Sequence, residues 1–180
     1  VPDTVATVGD ITFRRMTADD LPLLGEWMVQ PHWREWWGDP EVELGYVREM
    51  IEGADTTEPY FILLDGVPAG YIQMWRIADN LVEPWLTEAP WMLQLPKGAV
   101  GVDLSLSAEA GVSRGIGSAA LRNFVAMLRE RGHDVIIIDP DPANHRAVRA
   151  YTKAGFVPVA ELEGRTGDSL IMRHMKDLTA

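Results

Sequence analysis

Between residues 99 and 131 the chain sets an alternating strand, a glycine-rich turn and a long amphipathic helix in direct succession, and this constrains its fold more than any other feature. Along Ala99 to Ser107, Val100, Val102, Leu104 and Leu106 face one side, while Gly101, Asp103 and Ser105 face the other. Gly111-Val112-Ser113-Arg114-Gly115-Ile116-Gly117 follows, and then a helix from about Gly115 to Arg131, ended by Gly132. Glycines here let the backbone approach a ligand, and free amides at a helix start hold phosphate. The spacing is neither G-x-G-x-x-G nor a Walker loop, and taken alone the segment reads as a plain tight turn.

The remaining elements follow from periodicity and punctuation. Ile11 to Arg15 alternates as a first strand. Thr17 caps a helix carrying Leu21, Leu24 and Met28 on one face, with Asp19 and Asp20 in its first turn. Pro40, after Asp39, starts a second helix running to about Glu52. Strands Tyr60 to Leu64 and Ala69 to Ile77 are joined across the hairpin signal Asp65-Gly66. Residues 78–98, with Pro84, Pro90 and Pro96, read as a long irregular stretch of the kind that is functional or mobile. A buried strand at Val135 to Ile138, a helix from Asn144 to Lys153, and strands Phe156 to Leu162 and Ser169 to Met175 complete a mixed sheet flanked by helices.

The 180 residues are expected to form one domain, residues 1–180. No apolar stretch reaches the ~20 residues of a membrane span, so no membrane partner is expected. Val1-Pro2-Asp3-Thr4 shows no basic region followed by an apolar block, and a cytoplasmic location is the expectation. The absence of cysteine excludes disulfides, thiolate metal sites and a cysteinyl acyl-enzyme. A net charge of −11, without a dense Lys/Arg run, argues against nucleic acid and is compatible with either simple solubility or a polycationic substrate.

A second segment carries chemistry. In Asn144-His145-Arg146-Ala147-Val148-Arg149-Ala150-Tyr151-Thr152-Lys153-Ala154-Gly155-Phe156, Asn144, Val148 and Tyr151 share one helix face. Read by itself, Asn144 is a cap and Tyr151 a packed aromatic. The two segments together resemble the GNAT acetyltransferase superfamily. Gly115 and Gly117 match its glycine motif, Val112 stands where Gln or Arg is usual, and Asn144, Ala147, Tyr151, Gly155 and Phe156 match the later motif. The resemblance implies an α/β (α+β) GNAT fold, a mixed, mostly antiparallel central sheet with about four helices. It implies acetyl-CoA as co-substrate, held by Leu104, Val112, Arg114, Gly115, Ile116, Gly117, Ser118, Asn144 and Ala147, and no metal.

A closer resemblance spans nearly the whole chain from Ile11. Glu35-Trp36-Trp37-Gly38, Pro59-Tyr60, Gly70-Tyr71-Ile72-Gln73, Gly101-Val102-Asp103-Leu104-Ser105 and Arg149-Ala150-Tyr151 look like aminoglycoside 6′-N-acetyltransferases. By that resemblance Asp103 is the general base and Tyr151 the general acid. Trp36, Trp37, Tyr71, Gln73, Asp139 and Asp168 then fall to the acceptor, a cationic amine, with Asp79 and Glu83 aligning less cleanly. Asp139, Asp141 and His145 are not read as metal ligands, because Pro140 and Pro142 fit a strand-to-helix loop. Related siderophore acyltransferases carry His where Asp103 stands. A siderophore-assembly N-acyltransferase acting on a lysine or hydroxylysine-type amine and a non-catalytic CoA-binding module remain as alternative readings. From its residues alone, Asp103 is either a structural ion-pair or turn partner or a site residue.

Overall fold

The computed structural model describes residues 9–110 and 115–176. Its core is a seven-stranded sheet in the order β1-β2-β3-β4-β5-β7-β6. The strands are β1 (Ile11–Arg15), β2 (Glu58–Leu64), β3 (Val67–Arg76), β4 (Val100–Leu106), β5 (Ile136–Ile138), β6 (Phe156–Pro158) and β7 (Met172–His174). Every neighbouring pair is antiparallel except β4 with β5. The β2–β3 hairpin turns at Asp65-Gly66 with φ of 51° and 81°, the left-handed pair that a two-residue turn demands.

Six α-helices occur among the described residues: α1 (Leu21–Met28), α2 (Pro31–Trp37), α3 (Pro40–Glu52), α4 (Trp85–Glu88), α5 (Ile116–Glu130) and α6 (His145–Lys153). Four of them correspond to the helices expected from sequence, and α2 and α4 are additional. Thr17 opens a 3₁₀ turn, Ala18–Asp20, ahead of α1, and its N–H is taken by the Asp20 carboxylate at 2.9 Å. Asp39 caps α3 by accepting from Glu41 N and Val42 N at 2.9 and 3.2 Å. The last two strands are shorter than their apolar patterns suggest. Pro158 lacks an N–H to donate, and Ala160–Leu162 winds into a 3₁₀ turn instead of continuing β6.

The two sheet faces bury different partners. On one, Phe124 of α5 meets Phe13 and Tyr60 edge-on at 5.1 and 5.5 Å, within a core that includes Ile72, Met74, Val102 and Phe156. On the other, Trp27 and Trp33 from α1 and α2 pack with Met50, Phe61 and Tyr71. The stretch 78–98 is less irregular than its prolines suggest. It forms 3₁₀ turns and α4, and it buries Trp91 and Met92 against Ile77, Ile137 and Ile171. No described helix is long and apolar enough to cross a membrane.

Candidate active site

The site opens where the sheet splits. Strands β4 and β5 pair in register only at Val100 with Ile136 and Gly101 with Ile137. Beyond that point they part, leaving a cleft of about 850 Å³ lined by Asp103 to Leu106 on one side and Ile138 to Asp141 on the other. Val100 N donates to Val135 O at 3.0 Å, whereas Ser107 N donates to Ala69 O at 2.8 Å. Even-numbered β4 positions therefore turn their backbone groups toward β5, and past the split the Leu104 N–H faces the cleft. The Leu106 carbonyl, turned the same way, accepts from His32 Nε2 at 2.9 Å and Trp33 Nε1 at 3.1 Å, tying α2 to the end of β4.

Asp103 is held from β3. It is the direct partner of Gln73, so both side chains stand on one face, and Gln73 Nε2 donates to Asp103 Oδ2 at 2.9 Å. A carboxylate can only accept, which forces the Gln73 carbonyl outward to take the Tyr71 hydroxyl at 2.5 Å. Tyr71 is fully buried and does not line the cleft; it acts on the site through Gln73. Trp75, two residues further along the same face, lies over Gly101.

Among the residues expected from sequence, Asp103, Leu104, Gly115, Ile116, Gly117, Ser118, Asp139, Asn144, Ala147, Tyr151, Trp36, Trp37 and Gln73 all line this one cleft. Gly115 adopts φ +69° as the residue capping α5, so the helix's first amides open onto the cleft. Asn144 also caps α6, accepting from Ala147 N at 3.2 Å. Val112 and Arg114 lie outside the described residues. Asp168 is exposed in a turn away from the cleft lining, as are Asp79 and Glu83 in their own stretch.

The carboxylates of the cleft depart from ordinary behaviour. Burial is the main force raising Asp103, opposed by hydrogen bonds from Gln73, Asp139 and Trp75. Asp139 is pushed up further, by burial and then by the charge of Asp103. Two carboxyls in hydrogen-bond contact titrate as a pair that shares one proton. Burial, with the charge of the Asp103–Asp139 pair behind it, raises Tyr151 and keeps its hydroxyl a donor. Tyr71 is raised in the same way, by burial first and then by Asp103, Glu43 and Asp55.

Several cleft residues escaped the sequence reading. Arg146, Arg149 and Lys153 all come from α6, at a spacing that puts three cations on the cleft side of one helix. That spacing was visible. Glu43 of α3 lies one turn before Val47 and two before Met50, both buried, so it is a carboxylate on the apolar stripe of an amphipathic helix. It is pushed up to about 6 by burial and by Asp103. His32 had no sequence signal, because its place depends on the α2 contact with β4.

Residues 16–163 match the family model described as an acetyltransferase (GNAT) domain. The aminoglycoside N(6′)-acetyltransferase type 1 of Klebsiella pneumoniae is 33% identical over 153 residues, covering 81% of this chain and 73% of that protein. The aminoglycoside acetyltransferase AAC(6′)-Ib in complex with coenzyme A has the same fold, with a TM-score of 0.76 at 30% identity over 93% of this chain and 95% of that one. Its complex with coenzyme A and kanamycin gives 0.75 at 29% identity over the same shares. With the split sheet, the glycine-capped helix and the matched span agreeing, the chain belongs to the GNAT acetyltransferase family.

Proposed function

We propose that this chain is an aminoglycoside 6′-N-acetyltransferase, transferring acetyl directly from acetyl-CoA to a primary amine of a polycationic sugar. The observation that carries the reading is the Asp103–Asp139 pair, one carboxylate free to accept a proton, set in the same cleft as the α5 N-terminus and Tyr151. Its homologues named for aminoglycosides, including one seen with kanamycin and coenzyme A, support the acceptor class.

The lining residues fit acetyl-CoA. The opened first turn of α5, with Arg146, Arg149 and Lys153 on α6, suits phosphate groups. The cleft-facing Leu104 N–H suits a carbonyl oxygen or an amide of the extended arm. The co-substrate supplies the activated thioester.

The residues then divide the proton work. An alkyl ammonium, with a pKa near ~10, is unreactive until it loses a proton, and Asp103 takes that proton directly or through one water. The freed nitrogen forms a bond to the acetyl carbon while the bond from that carbon to sulfur breaks. The Leu104 N–H stabilises charge developing on the carbonyl oxygen. Tyr151 donates its proton to the departing thiolate, and the second proton, shed by the newly acylated nitrogen, passes through solvent to restore the hydroxyl. No acyl-enzyme is needed.

A free-thiol release assay tests the assignment against kanamycin-type and gentamicin-type aminoglycosides, spermidine, lysine and N6-hydroxylysine. Turnover confined to aminoglycosides with a free 6′-amine is the expected result. Turnover on the lysine derivatives alone, or on no acceptor, overturns it.

A further inference from the structure

Two carboxylates among the described cleft residues have no role in the chemistry just derived: Asp141, which is exposed and accepts from Ala143 N at 2.8 Å, and Glu43. It projects from the buried stripe of α3, is half-buried, and lines the cleft together with Trp37 of α2 and Asp103 of β4. Among the described residues the charged side chains facing it give no compensation, and only its place in the first turn of α3 favours an acid. Asp103 faces it from β4 with Asp139 behind, Tyr71 stands on β3 beneath α3, and His32 lines the same cleft from α2. Among the described residues, the Arg and Lys side chains of the cleft, Arg146, Arg149 and Lys153, all belong to α6.

A half-buried carboxylate within Coulombic reach of another is costly unless a cation arrives to meet it. Nothing in the packing of α3 requires an acid at this position, since its stripe is otherwise Val47 and Met50. Trp36 and Trp37, which share the lining, offer aromatic faces suited to a sugar ring or a cation beside that acid.

Resting on the acceptor class proposed above, we infer that Glu43 is a specificity-determining residue: it binds a second ammonium group of the acceptor while Asp103 attends to the amine being acetylated. The acceptor favoured by this cleft is then a di- or polyamine, and a monoamine bearing the same reacting aminomethyl group is bound less well. The raised Glu43 carboxyl gives the preference a pH signature. Below about pH 6 the group is neutral and the second ammonium loses its partner, whereas above that it is charged and holds it.

The test is the dissociation constant of kanamycin, and separately of spermidine, on the coenzyme A-saturated protein, measured by calorimetry so that turnover is not required. Glu43→Gln is expected to weaken both by about 10-fold or more at about pH 7.5, to leave coenzyme A affinity unchanged, and to lose most of its effect near about pH 5. Glu43→Asp, which keeps the charge, is expected to recover part of the affinity. Equal kanamycin and spermidine affinity in wild type and Glu43→Gln overturns the inference even where kanamycin is acetylated. Wild-type protein that binds spermidine but not kanamycin overturns the aminoglycoside reading instead, and a Glu43→Gln loss of spermidine binding then upholds the polyamine site. An effect of Glu43→Gln that is undiminished at about pH 5 overturns the charge argument.

Discussion

Asp139 stands opposite Asp103 because each lies two residues beyond the last pair of the β4–β5 ladder, Gly101 with Ile137. Side chains repeat every two residues on a strand, so the register that ends at that pair carries both carboxyls to the same side of the opening. Where a paired sheet would close over them, the strands have parted. The cleft and its two acids are thus one consequence of where pairing stops.

Burial makes this arrangement costly to stability, which yields the first prediction. Asp103 and Asp139 both hold protons more tightly in the folded protein than in the unfolded chain. As pH rises through that interval the folded state is the one giving up stability, and the loss is complete only once pH has passed the raised folded-state values. Asp103→Asn is expected to melt higher than wild type at about pH 7.5, with the gap closing toward about pH 4, while kcat falls ~10²-fold or more and acetyl-CoA affinity is kept. Thermal melts across pH, beside steady-state rates, check both halves. Unchanged turnover removes Asp103 as the base.

The two acids are not equivalent, and the same substitution separates them. With Asp103 as the proton acceptor, Asp139 serves as its hydrogen-bond donor, a task that an asparagine amide also performs. Asp139→Asn is therefore expected to hold kcat within about 10-fold of wild type, against the far larger loss at Asp103. A reversed order of losses assigns the base to Asp139.

Tyr151 is tested through its proton. Its raised affinity for that proton keeps the hydroxyl a donor throughout the neutral range. Tyr151→Phe removes the donor and little volume, and water partly replaces it toward a good leaving group. A fall in kcat of about 10-fold, with acceptor KM little changed, is the expected outcome of steady-state kinetics. Wild-type rates return Tyr151 to packing.

How far the sequence foretold this site depends on whether each residue's placement is local. Asp65-Gly66 was readable because two residues alone specify the turn. Asp103 was readable because strand alternation sets it on the polar side of β4. The glycine start of α5 and the cap at Asn144 are likewise written within a few residues. Contact between Asp103 and Asp139 was not readable, since it depends on where two strands, paired at positions 36 residues apart, cease to pair. Nor was the Tyr71–Gln73 chain, in which the buried Tyr71 stands behind Gln73, and Gln73, on the cleft lining, holds Asp103. The short helix α2 had a start signal in Pro31, yet its seven residues are too few for periodicity to stand out.

Gly101 carries the indole that helps hold Asp103. A Cβ there would fall 2.1 Å from Trp75 Cε2 and 2.3 Å from Cζ2, inside any permissible contact. These are ring atoms of a partly buried side chain packed with the Ile77–Trp91–Ile137 cluster, so the whole indole has to move. Gly101→Ala is expected to cost about 1–3 kcal/mol in urea unfolding, the range for an overpacked site. It should also lower kcat, because displacing the indole withdraws its hydrogen bond from Asp103. Trimming the obstacle separates sterics from backbone effects. If the clash is the cause, Gly101→Ala combined with Trp75→Leu is destabilised by clearly less than the sum of the two single changes. Strict additivity, or a Gly101→Ala protein that unfolds like wild type, shows that the ring has room and that glycine is not what seats Trp75.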